Sequence, residues 1–315
     1  MTRILTRTDL LELLNPADCI RVLREGFAAS VQSSLPGRRV RTDLPFAGTA
    51  TALLPGLLPG TDAYTVKVNA KFPGAVPSLR GVICLHSGTD GELLALIDSA
   101  TVTAWRTGLA AALATDLIAR PADGGTRTVG VIGAGAQAEL TIRGLRTLRS
   151  WDRLVVHDVD DRRAASFAQR HGGVVASTPA EVAATADLVV LATWSREPLL
   201  RLRDVRPGQH LTALGADEPG KQELAPEVLL SARLFVDDAA LVAGHGALAN
   251  AGLPSSTAAA SLGEVIRGDV PARSHSRELT VYAPVGLPWQ DLALSWLVFQ
   301  QAEAAGRGAT VDLLA

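Results

Sequence analysis

Cysteine is almost absent from this chain: Cys19 and Cys84 are the only two, with no CxxC pair and no metal-type spacing. That argues against a disulfide framework or a structural zinc site, and it suits a reducing, cytoplasmic setting. An excess of one charge is missing too. Thirty basic residues face 32 acidic ones, for a net charge of -2, with no long run of either sign. Such a chain has no basic footprint for nucleic acid. Long apolar runs are lacking, so no membrane span is expected, and the N-terminal MTRILTRTDLLELLNPADCIRVLREGF is too charged for a signal peptide. The six histidines form neither HxxH nor HExxH and most are expected at the surface or in loops, and without a GxSxG elbow hydrolase chemistry has no support. Lysine is scarce as well. Only Lys67, Lys71 and Lys221 interrupt an otherwise all-arginine set of basic residues, which draws attention to each.

What is present is 47% hydrophobic material over 315 residues, enough for a large core and two domains. Residues 8 to 33 have helical spacing, with Asn15-Pro16 opening a second helix. From Arg38 to about Ile97, short runs such as YTVKVNA and GVICLHS between Gly and Pro predict antiparallel strands. An alanine-rich helix, SATVTAWRTGLAAALATDLIA, is suited to very close packing, and ARPADGGTR follows as a hinge. Beyond it, continuous apolar strands alternate with amphipathic helices. The fold class expected is therefore α/β: a Rossmann doubly wound parallel sheet over 121–289, plus an α+β domain over 1–120 to which a closing helix in 290–315 returns.

TVGVIGAGAQAEL places Gly133, Gly135 and Ala138 as GxGxxA between a strand and a helix. The first glycine makes a tight turn, the second lets the backbone approach a pyrophosphate, and the small third residue lets helix pack on strand. Asp158 ends the next strand, where a carboxylate accepts from ribose hydroxyls and repels a 2'-phosphate. NAD is the expected cofactor, with NADP possible because Arg162 and Arg163 follow. Asp217, at the carboxyl end of HLTALGAD, would hold a substrate amine or move its proton, unless it caps the EPG turn. Arg106 lies among small apolar residues and needs an anion, unless it snorkels to solvent. Lys67 is an interior strand residue, facing either solvent or a site.

With RTGLAAALAT, VGVIGAGAQAEL, HDVD and GADEPGKQEL in order, the chain resembles the ornithine cyclodeaminase/mu-crystallin family from about residue 5 to residue 310. The resemblance implies a homodimer whose second domain carries the interface and much of the substrate site. It implies that Lys67, set before Pro-Gly in KVNAKFPG, binds the substrate carboxylate near the reacting carbon, with Arg41 and Arg106 as further substrate contacts. It makes Asp217 the catalytic aspartate, and it puts Ser78, Arg106, Thr107, Ala136, Gln137, Asp158, Thr193 and Lys221 on the cofactor side. Two departures stand out. Ala52 occupies the place of a cyclodeaminase glutamate, which in some alanine dehydrogenases is an arginine, and Pro284 falls where the family has a serine. The implied activity is an NAD-dependent amino-acid dehydrogenase or imine reductase acting on a small amino or cyclic imino acid. The alternatives are an ornithine or lysine cyclodeaminase and a cofactor-binding crystallin without catalysis.

Overall fold

The computed structural model describes residues 1–29, 40–44, 50–72, 75, 78–121, 127–313 and 315, with backbone alone for 40–43, 50 and 51. They form two compact units, Met1–Arg106 with Leu287–Ala315, and Thr107–Gly286. The first boundary lies inside a helix, and residues 122–126 of the Pro-Gly segment lie outside the described residues.

The chain opens with β1 (Thr2–Leu5), α1 (Arg7–Leu13), α2 (Pro16–Ala29), β2 (Val40–Asp43), β3 (Ala50–Gly56), β4 (Ala63–Lys71), β5 (Leu79–Ser87), β6 (Leu93–Asp98) and α3 (Ser99–Ile118). Next come β7 (Thr128–Ile132), α4 (Ala136–Leu148), β8 (Arg153–His157), α5 (Asp161–His171), β9 (Val174–Val175), α6 (Pro179–Thr185), β10 (Leu188–Leu191) and β11 (His210–Ala213). It closes with α7 (Pro226–Ser231), β12 (Arg233–Val236), α8 (Ala239–His245), α9 (Ala247–Ala251), β13 (Ala260–Ser261), α10 (Leu262–Arg267), β14 (Thr280–Tyr282), α11 (Pro288–Ala305) and β15 (Ala309–Val311).

In the first unit the sheet order is β15-β1-β6-β5-β4-β3-β2, antiparallel from β2 through β6. Helix α2 starts where the sequence places it: the Asn15 side chain accepts the Asp18 N–H, and Pro16 supplies a first-turn residue that needs no hydrogen bond. Along β4 the period of two buries Ala63, Thr65, Lys67 and Asn69 on one face. Helix α11 packs across β3, β4 and β5 and against α2. Gly26 makes room there for the Trp289 ring, which meets Phe27 edge-on at 4.9 Å between centroids. Strands β1 and β15, which the sequence pattern does not announce, extend the sheet beyond β6.

The second unit is a parallel α/β sheet of order β13-β12-β14-β11-β10-β7-β8-β9. Val189 and Leu191 enter one apolar cluster, Leu188 and Val190 the other, as alternate side chains of a strand buried on both faces must. Gly108 brings α3 onto α4: a Cβ there would lie 2.6 Å from the Leu140 Cβ. Strand β14, which the sequence pattern does not announce, lies between β11 and β12. His210 is an exception among histidines expected mostly at the surface or in loops. It is fully buried, with Nδ1 2.9 Å from the Thr280 hydroxyl and Nε2 3.0 Å from that of Thr212, and burial with nearby Arg273 holds its pKa well below the usual value.

Candidate active site

In the second unit the predicted nucleotide residues gather at the carboxyl edge of the sheet. Strand order reverses between β7 and β10, the place where open α/β sheets form a crevice. Gly133 follows β7 with φ +93°, and a Cβ on it would sit 2.6 Å from the Ala192 carbonyl oxygen. Gly135 is the N-cap of α4, and nothing lies within 4 Å of where its Cβ would be. Thus Gly133 is required by the fold, whereas Gly135 keeps a space open at a helix start. Ala136 and Gln137 form the first turn of α4, whose N–H groups have no carbonyl partner within the helix. Ala138 is fully buried. An anionic pyrophosphate fits this cradle, so the residues present suit a dinucleotide.

Asp158, just beyond β8, is 6% exposed and braces the same loop. Its Oδ2 accepts the Ala134 N–H at 2.8 Å and its Oδ1 the Asp160 N–H at 2.9 Å, with Arg163 at 3.4 Å. Oδ2, with one partner, keeps a second lone pair for a hydroxyl, whereas Oδ1 already accepts from Asp160 and Arg163. Thr193 lies past β10. Its N–H and hydroxyl both donate to Glu223 Oε1, at 2.7 and 2.8 Å, while Gly215 N–H donates to Oε2 at 2.7 Å. Glu223 therefore ties the loops after β10 and β11 together. Burial raises its carboxyl to about 7, against those three bonds. Glu223 lies within GADEPGKQEL, where in sequence it looks like any other acid of the turn. A carboxylate one residue before a buried leucine was the available signal.

Asp217, at the strand end where the sequence places it, is not buried. Its side chain is 38% exposed and pairs with Lys221 Nζ at 2.7 Å, and Lys221 also meets Glu218 at 3.3 Å. Burial opposes the charge on Lys221, but the Asp217 and Glu218 carboxylates prevail and hold its pKa above the usual value. The opening of the GADEPGK turn thus presents a carboxylate already paired with a permanent cation.

In the first unit, Lys67 faces inward rather than toward solvent. Lys67 and Asp291 side chains are each 2% exposed, with Nζ to Oδ2 at 2.5 Å. Arg106 does not snorkel: its Nε lies 3.4 Å from Asp291 Oδ1, and it donates to the Gln290 carbonyl at 3.2 Å. Two cations so share one carboxylate. Among the described residues, that is one hydrogen bond for a guanidinium with five donors, and its buried Nε forms none. Removing one member of such a buried pair costs roughly 3–5 kcal/mol, because the partner is left charged in an apolar setting. Neither Gln290 nor Asp291 was predicted. They belong to PWQD, where α11 begins, and only the fold brings them to Lys67.

The remaining predicted residues are placed less fully. Arg41 lies opposite Ala52 in the register of β2 and β3, and its side chain is outside the described residues. Ser78 precedes β5, its carbonyl accepting the Phe72 N–H. The Thr107 hydroxyl is buried without a hydrogen-bond partner among the described residues. Pro284 belongs to a turn fixed by Asp237, whose carboxylate accepts the N–H groups of Val285 and Gly286. Burial raises the Asp237 carboxyl to about 6.

A model of the ornithine cyclodeaminase/mu-crystallin family matches residues 1–306. The chain belongs to that family. Among members of the family, it is 31% identical to an alanine dehydrogenase of Archaeoglobus fulgidus, over 98% of each chain. It is 33% identical to the mouse ketimine reductase mu-crystallin, over 82% of this chain and 83% of the other. Its structure matches an archaeal alanine dehydrogenase dimer with bound NAD at a TM-score of 0.90, with 28% identity and 99% of both chains covered. It also matches Δ1-pyrroline-2-carboxylate reductase of Thermococcus litoralis, in complex with NADH and L-proline, at 0.91, with 25% identity over 98% of this chain and all of the other. Among the described residues no helix is long and apolar enough to cross a membrane, and no cluster of side chains could hold a metal.

Proposed function

We propose that this family member is an NAD-dependent amino-acid dehydrogenase or imine reductase. Hydride would pass between nicotinamide and the α-carbon of a small L-amino or cyclic imino acid. The observation that carries the reading is Arg106, a guanidinium 12% exposed with most of its donors uncommitted among the described residues, beside the fully buried Lys67. Such a pair is suited to a substrate carboxylate, with Arg41 as a third contact. Relatives named for alanine dehydrogenase and ketimine reductase, and solved structures named with NAD or with NADH and L-proline, support the same chemistry.

Bound nicotinamide supplies the hydride or takes it up. The chain's own part is to hold and orient. Lys67 and Arg106 fix the carboxylate, and this aligns the α-carbon. Asp217, partly open to water and steadied by Lys221, holds the amine or exchanges its proton. Gly135 and the first turn of α4 receive the pyrophosphate, with Ser78, Thr107, Thr193 and Lys221 as further cofactor contacts. Asp158 takes the ribose hydroxyls and favours NAD over NADP.

A cyclodeaminase would need a group to receive a substrate's second amine. Ala52 offers none: it is 7% exposed, opposite Asn69 on the face of β3 that meets the Lys67 face of β4. The archaeal dimer supports a homodimer here, and the two unbridged cysteines suit work in the cytoplasm. The test is to supply NADH with pyruvate and ammonia, or with Δ1-pyrroline-2-carboxylate. NADH consumed in step with amino acid formed is the expected result, and no consumption with either would overturn the reading.

A further inference from the structure

The buried cluster of the first unit holds one residue to which nothing so far gives a task. Asp291 enters at the first turn of α11, behind Pro288, with its Oδ2 on Lys67 Nζ and its Oδ1 facing Arg106 Nε. Thr103 lies 3.5 Å from the same lysine nitrogen, and Gln290 reaches the other side of the guanidinium. The carboxylate is 2% exposed, and a charge this deep is held only by strong partners.

We propose that Asp291 is the positioning residue of the carboxylate site, aiming Lys67 and Arg106 and limiting their combined charge so that the site takes a substrate with one carboxylate rather than two. The inference rests on Lys67 and Arg106 being the substrate-carboxylate residues. The physical reason is that an anion entering beside Asp291 is attracted by the two cations and repelled by the aspartate at close range, where burial weakens screening. A monoanion gains from this balance. A second carboxylate adds repulsion and desolvation at a site where Asp291 already takes up part of the charge of Lys67 and Arg106. Asp291 touches neither the reacting atoms nor the nicotinamide in this scheme, and it acts through the two side chains it orients.

Two ligands of the same planar ring separate charge from shape: pyrrole-2-carboxylate, which mimics a cyclic imino acid, and pyrrole-2,5-dicarboxylate. Their affinities for the 315-residue chain with NADH would be measured by calorimetry for wild type, Asp291→Asn, Asp291→Glu and Lys67→Met. Wild type is expected to favour the monocarboxylate by about tenfold or more. Asp291→Asn should narrow that ratio at least about fivefold and leave NADH affinity unchanged, whereas a purely structural role would weaken both ligands alike and preserve the ratio. A ratio unmoved in Asp291→Asn overturns the proposal. If Asp291→Asn does not fold, Asp291→Glu decides: the charge stays but the aim shifts, so both ligands should weaken together with NADH affinity intact, and unchanged affinities overturn it. Lys67→Met separates the two levels. Undiminished binding of pyrrole-2-carboxylate there would overturn the carboxylate site itself, while a clear loss there with an unmoved Asp291→Asn ratio would overturn only the role of Asp291.

Discussion

Asp217 carries the chemistry proposed at the level of single residues, and its exposure matters to it. A carboxylate 38% exposed and held by Lys221 at 2.7 Å is open to water while staying aimed. Asp217→Asn should lower kcat by about a hundredfold or more, the range lost with a general acid or base, and leave NADH affinity unchanged. Turnover at the wild-type rate would remove the assignment. Glu223 gives a pH prediction. Burial lifts its carboxyl from 4.5 to about 7. A carboxyl raised in this way contributes stability that is complete below pH about 4.5 and lost as the pH climbs through about 7. Glu223→Gln lacks that loss. Urea unfolding of both proteins at about pH 5 and about pH 8 should show the difference moving in the variant's favour at the higher pH. A difference independent of pH would contradict the buried, raised carboxyl. At this scale the sequence announced residues by scarcity and motif: Lys67 because lysine is rare, Asp217 because it interrupts an apolar strand end. It stayed silent on Glu223 and Asp291, since a glutamate or aspartate beside leucines looks like any surface acid until the fold buries it.

Among the elements, the glycine loop joins fold and function most tightly, and its two glycines should separate them. Gly133→Ala forces a side chain into φ +93° and against the Ala192 carbonyl, so it should cost roughly 1–3 kcal/mol of stability. Gly135→Ala meets no protein atom within 4 Å. Its stability should stay within about 0.5 kcal/mol of wild type while NADH binding weakens tenfold or more. Denaturant melts and NADH titration of the two variants give the answer, and the reverse pattern would mean that the cradle faces something other than a pyrophosphate. The strand-turn-helix rhythm of β7, α4 and β8 was legible because apolar strands and capped helices are local signals. Strand β14 was not, for Thr280–Tyr282 is three residues long and becomes a strand only through its neighbours β11 and β12.

For the whole molecule, the sequence pattern anticipated a parallel sheet and an antiparallel one but not the pairs that chain ends far apart in sequence make within the first unit. Lys67 and Asp291 are 224 positions apart, and no local pattern can pair them. If the chain binds NAD only when folded, NAD at a hundred times its Kd should stabilise it by about 2.7 kcal/mol, and NADP at the same concentration by clearly less because of Asp158. Equal stabilisation by both would remove the role given to that carboxylate. The central claim concerns the fate of the imine, which one experiment reads directly. Purified protein receives NAD with L-alanine, ornithine, lysine, arginine or proline in turn, and NADH and released ammonia are followed together. The account predicts that NADH accumulates with at least one of them, alanine or proline foremost. Ammonia released from ornithine or lysine without any NADH would contradict it and make the enzyme a cyclodeaminase.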